Sequence, residues 1–112
     1  MITVRTLLDT LPLKAVAGQD FAQSVTGGYV SDLLSNVMGQ AVAGNVWITM
    51  QAHQNVAAVA LLANLAAVII AGGVEPDDAI LEKARAEGLN ILTTELSAFE
   101  VAGRLYQLGI RG

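Results

Sequence analysis

Two stretches of the chain are apolar at consecutive positions, and they bracket a third that is apolar on nearly every side. "NVWIT" (45–49) and "AVIIA" (67–71) carry the β-branched and aromatic runs that strands buried on both faces of a parallel sheet require. Between them a helix is predicted from about Val56, with Asn55 as its N-cap. Ala57, Val59, Ala60, Leu61, Leu62 and Ala63 leave that helix apolar almost all round, so both of its sides are expected to be covered. Downstream, "GGVEPDD" turns into a helix with Ile80, Leu81 and Ala84 facing inward and Gly88 at its end. "NILTT" (90–94) is the next strand. Ser97-Ala98-Phe99-Glu100 has the spacing of a capping box opening a last helix, with Ala98, Val101, Ala102 and Leu105 as its inner stripe. Glu100 and Arg104 stand one turn apart on its surface, and Gly109 supplies the stop.

The first third of the chain is less regular. Thr3 caps a short helix bearing Leu7, Leu8 and Leu11, which Pro12 closes, and "LKAVAG" reads as a first strand. "GQDFAQSVTGG" is turn-rich. "GYV" then leads into Ser31 as an N-cap, Asp32 in the first turn, Leu33, Leu34, Val37 and Met38 as the buried face of a helix, and Gly39 as its end. Alternation of strand and helix over residues 46–108 implies right-handed crossovers and a parallel sheet. The predicted class is α/β: one compact domain over residues 1–112, its mainly parallel sheet flanked by helices.

Composition changes this picture in one respect. Charged residues make up only 14% of the 112 positions, against roughly 25% in ordinary soluble domains, so part of the exterior is expected to be covered, most simply by a second copy in a homodimer. The formal net charge of −4 argues against nucleic acid as a partner. Arg5, Lys14, Lys83, Arg85, Arg104 and Arg111 are the only cations, and they leave Ala15 to Glu82 without one. The chain has no Cys, which excludes disulfides, thiolate zinc sites and cysteine-bound iron–sulfur clusters. Its N-terminus lacks a secretory pattern, and the apolar run 56–71 is too short for a membrane span and contains Asn64. A cytoplasmic location with no membrane partner is expected.

In an open parallel sheet, ligands meet the loops beyond the carboxyl ends of the strands. Those loops hold Thr49, Gln51, His53, Asn55, Gly72, Gly73, Thr93 and Thr94, the candidate ligand-binding set. Each loop opens a helix, whose unpaired N–H groups suit a small anionic ligand. Gly72-Gly73 either admits a ligand close to the backbone or simply makes a tight turn. Neither common nucleotide fingerprint is present. Of the carboxylates near the rim, Asp77 and Asp78 read as first-turn charges and Glu95 as a solvated loop residue, which leaves no catalytic constellation, metal site or cofactor to expect. His53, the only His, has two open readings: a hydrogen-bond donor to a ligand, or a polar stitch at a strand-to-helix junction.

Across residues 25–110, "TGGYVSDLLSNVMGQA", "WITMQAHQNVAAVALL" and "IIAGGVEPDDAILEKARAEGLNILTTELSAFEVAGRLYQLGI" together resemble a DRTGG domain. That resemblance implies an α/β regulatory module of the kind found beside CBS domains in inorganic pyrophosphatases and in longer bacterial phosphotransacetylases. Stand-alone copies similar to this one are encoded near iron hydrogenase subunits, which implies a hydrogenase or a histidine-kinase-like protein as partner. The family is named for an Asp-Arg pair and a Thr-Gly-Gly turn. Here Ala52-His53 stands at the first and Ala71-Gly72-Gly73 at the second, so the bidentate, permanently charged phosphate partner is missing. The resulting expectation is a non-enzymatic homodimeric sensor of a small ligand, nucleotide or other anion. Its rival is a ligand-free interaction subunit of a hydrogenase-linked assembly, suggested by the low charge, the apolar helix at 56–64 and Gly103 on the last helix.

Overall fold

In the computed structural model, which describes all 112 residues, the β-branched runs do become the centre of a sheet. The elements in chain order are α1 (Val4–Thr10), β1 (Lys14–Ala17), β2 (Gly27–Val30), α2 (Leu34–Gln40), β3 (Asn45–Thr49), α3 (Gln54–Leu62), β4 (Ala67–Ile70), α4 (Asp78–Glu87), β5 (Ile91–Thr93) and α5 (Ala98–Gln107). The five strands lie in the order β1-β5-β4-β3-β2. From β2 to β5 every pairing is parallel, with Tyr29 beside Trp47, Trp47 beside Val68 and Val68 beside Ile91. Only β1 is antiparallel, at the β5 edge, where it sets Lys14 against Thr93.

Strand alternation divides the core in two. Trp47, Val68, Ile70 and Ile91 point to the face covered by α2, α3 and α4, which contribute Val37, Val56, Ala60, Ile80 and Ala84. Val46, Ile48, Ile69 and Leu92 point to the other face, where α1 and α5 supply Val4, Leu7, Val101 and Leu105. Three successive crossovers of one hand put three helices on one face. The α/β class with a mainly parallel sheet is what the chain adopts.

The structure corrects several local expectations. Gly27–Val30 is a parallel edge strand, not the tail of a turn region. Helix α2 starts three residues after Ser31, with Leu33 in the capping position and no side-chain cap. Ser31 instead accepts from the Leu33 N–H, and Asp32 leaves the helix to accept from the Thr49 hydroxyl (2.7 Å) and the Met50 N–H (2.8 Å). Bonding to β3 outweighs a first-turn position. The expected buried face is accordingly thinner: Val37 is fully buried, while Leu33 and Met38 are 64% and 44% exposed. Gly39 lies inside the helix rather than ending it. Helix α3 is covered on its flanks by α2 and α4, yet Leu62 is 75% exposed, so it is not enclosed all round. At α5 half of the capping box forms: Ser97 accepts from the Glu100 N–H, while the Glu100 carboxylate pairs with Arg104 at 3.3 Å. No helix is long and apolar enough to cross a membrane.

Candidate functional site

Parallel pairing places the carboxyl ends of β3, β4 and β5 in register, with Thr49 beside Ile70 and Ile70 beside Thr93. The loops that follow therefore meet at one rim, but the eight candidate residues divide there into two groups with different employment.

At the β3 end, Thr49 is buried, its hydroxyl donating to Asp32 and accepting from the Gln51 N–H at 3.1 Å. Gln51 reaches the Asp32 carbonyl with its side-chain amide at 3.3 Å. The N-cap of α3 is His53, not Asn55: its Nδ1 accepts from the Asn55 N–H at 3.2 Å. An accepting Nδ1 is unprotonated, which puts the ring proton on Nε2. His53 thus takes the stitching role, using a ring nitrogen where Ser or Asp would use an oxygen. His53→Ala is expected to lower stability by about 1 kcal/mol, and His53→Asn to restore most of it. Urea denaturation of the three proteins checks this, and equal losses in both variants would remove the cap from consideration.

Of the second group, Gly73, Thr93 and Thr94 line a crevice of about 320 Å³, walled also by Lys14, Glu75 and Glu95, while Gly72 lies outside its lining. The crevice opens where the chain diverges. The loop after β4 leads to α4 on one face of the sheet, and the loop after β5 leads to α5 on the other. Such a divergence between neighbouring parallel strands is where open α/β sheets leave a cleft. Gly72 and Gly73 lie at φ of +76° and +73°, a backbone form that side chains resist. Their N–H groups are not free to cradle an anion: Gly72 donates to the Leu96 carbonyl at 2.7 Å and Gly73 to the Thr94 carbonyl at 2.9 Å. The glycines lace the two loops together, and a Cβ on Gly73 would run into the Glu95 carboxylate. Thr94 is equally committed, donating to the Pro12 carbonyl (2.9 Å) and accepting from the Leu96 N–H (3.1 Å).

Several N–H groups at the helix starts are likewise occupied. His53 takes one at α3, Ser97 one at α5, and Asp77 donates its own to the Ala52 carbonyl. The crevice lining offers one ammonium on Lys14, two carboxylates on Glu75 and Glu95 and the half-buried Thr93, beside the backbone N–H groups of Val74, Glu75 and Glu95, which donate to no other group of the protein. Sequence reasoning set Glu95 aside and left Lys14 outside the site. The only signal that joins them is the antiparallel seating of β1 against β5, which is invisible to local pattern. Nowhere do three or more His, Asp or Glu side chains converge as a metal cage requires.

A family model of the DRTGG domain matches residues 16–108. The chain belongs to the DRTGG domain family. No curated protein sequence matches this DRTGG domain. Among solved structures it is similar to the CBS and DRTGG domains of the regulatory region of Clostridium perfringens pyrophosphatase, complexed with the activator diadenosine tetraphosphate. The TM-score is 0.66 at 20% sequence identity, over 87% of this chain and 43% of that one. The DRTGG domain thus spans less than half of that regulatory region, and the likeness is one of fold.

Proposed function

We propose that this DRTGG domain is a non-catalytic regulatory module, homodimeric, that senses a small ligand in the crevice between the ends of β4 and β5. The observation that carries this reading is the divergence of the two following loops to opposite faces, which opens a cleft lined by charged side chains at the end of a rigid sheet. The family setting supports regulation, and the absence of a nucleophile-and-base arrangement at the rim supports binding without chemistry.

Crevice chemistry narrows the ligand. At about 320 Å³ the space sits at the low end of the roughly 300–1,000 Å³ typical of ligand pockets, so a small metabolite fits better than a dinucleotide. Two carboxylates face one ammonium, so a polyphosphate meets more repulsion than attraction. The best match is a ligand with a single anionic group for Lys14 and hydrogen-bond donors or an amine for Glu75 and Glu95. A thermal-shift panel of amino acids, carboxylic acids and nucleotides, followed by amide NMR titration, tests the proposal. Shifts are expected at Lys14, Gly73, Thr93 and Glu95, with Gln51 and Asn55 nearly unmoved. Lys14→Ala is expected to weaken binding about tenfold or more. A panel that leaves every crevice amide in place overturns the sensor reading.

A further inference from the structure

Helix α5 carries a second apolar stripe beside the one it buries. Val101 and Leu105 face the sheet, whereas Phe99, Ala102, Gly103 and Tyr106 recur at the three- and four-residue spacing of an adjoining helix face. On that face Phe99 is 87% exposed and Tyr106 59% exposed. A side chain at Gly103 would meet nothing within 4 Å, so the helix backbone is bare there. Alongside runs a groove of about 300 Å³ between α5 and the β2 edge, lined in part by Val30, Ile48, Ala102, Leu105, Tyr106 and Ile110. Gly28, with no side chain, leaves the groove open on the strand side.

The stripe itself contains no Asp, Glu, Lys or Arg. Glu100 and Arg104 pair with each other on the solvent flank, and the Arg111 guanidinium lies 3.7 Å from the centre of the Tyr106 ring. Arg111 also lines the groove and has no carboxylate partner; its guanidinium donates to the Tyr106 and Ile110 carbonyls, so an interface over the stripe must keep that charge at its rim.

We propose that a second copy of this chain docks on this stripe, the two α5 helices crossing antiparallel about a two-fold axis between Ala102 and Gly103. The proposal rests on the homodimer reading above and names its surface. About that axis Phe99 of each copy faces Tyr106 of the other, and the small pair at the centre lets the helices approach closely. Area agrees with this. At these exposures the two aromatic rings and the half-exposed Val30 offer roughly 400 Å² per copy. A standard interface of about 800 Å² per partner, a little over half of it apolar, needs about that much.

The test is the mass in solution, by sedimentation from micromolar to millimolar concentration, of the wild-type chain, Phe99→Asp and Gly103→Gln. Both positions are exposed, so both variants keep their circular dichroism, and Gly103→Gln holds or raises the melting temperature by improving helix propensity. The wild type is expected to dimerise, and each variant to need about tenfold more protein or worse. A wild type that is monomeric throughout overturns the homodimer reading and this surface together. A dimer that persists unweakened in either variant overturns this surface alone.

Discussion

Trp47→Ala is expected to cost about 3–5 kcal/mol of folding stability, a large part of the roughly 5–15 kcal/mol that holds a domain together. Trp47 is the largest fully buried side chain, with no exposed surface on the face covered by α2, α3 and α4. Alanine removes the volume on which Val37, Val56 and Val68 close, and a sheet strand hydrogen-bonded on both sides cannot collapse into the void. The indole has a second task, since Nε1 donates to the Ser31 carbonyl at 2.8 Å and so anchors the connection from β2 to α2. Trp47→Phe separates the two contributions. It keeps most of the packing, leaves the Ser31 carbonyl without its donor, and should cost about 1–2 kcal/mol. Urea unfolding followed by far-ultraviolet circular dichroism measures both variants without relying on the lost indole fluorescence. An alanine variant within 1 kcal/mol of wild type would contradict the packing described for this face.

That residue also marks where local pattern was informative. β3 and β4 were legible because every side chain is buried, so the demand for apolar, β-branched residues is continuous. Helix α4 was legible from its inward Ile80 and Ala84 and from Gly88 in the left-handed conformation. Strand β2 was not, because two of its four residues are glycines whose lack of side chains makes room for the chain's end: a Cβ on Gly27 would sit 2.8 Å from the Arg111 carbonyl oxygen. The start of α2 was misplaced because Asp32 bonds across the sheet to Thr49, a partner that no local rule brings near. The same limit applies at the site. The rim followed from three parallel strands, but the crevice depends on Lys14 meeting Thr93 through the one antiparallel pairing, between opposite ends of the chain. His53 as a cap was hidden for another reason: imidazole is an uncommon cap, and Asn55 beside it has the commoner chemistry.

Gly18→Ala is expected to be about as damaging as the loss of a core side chain, at roughly 3 kcal/mol or more, although it adds only one methyl group. Gly18 follows β1 with φ +102°, and a Cβ built there lies 2.7 Å from the Cα of Asn90 and closer still to that residue's side-chain oxygen. A backbone atom cannot swing aside, and the Asn90 side chain is held in place, its Nδ2 donating to the Asp20 carbonyl (2.9 Å) and the Ala66 carbonyl (3.1 Å). Asn90 is thereby the staple joining the loop after β1 to the start of β4, and its buried Oδ1, with no hydrogen-bond partner, lies against Gly18 where only hydrogen fits. Gly88→Ala is the control. Its φ of +74° is also positive but lies in the left-handed helical region, and nothing lies within 4 Å of the added carbon, so about 1 kcal/mol is expected. Parallel urea titrations measure the two variants, and equal losses would show that the approach to Asn90 adds nothing to the cost of a positive φ. The collision reaches the rim through β1, whose far end carries Lys14 into the crevice. Amide hydrogen exchange in Gly18→Ala should accelerate along Lys14–Ala17 before it does so in β3 or β4, because an edge strand freed at one end frays from that end first.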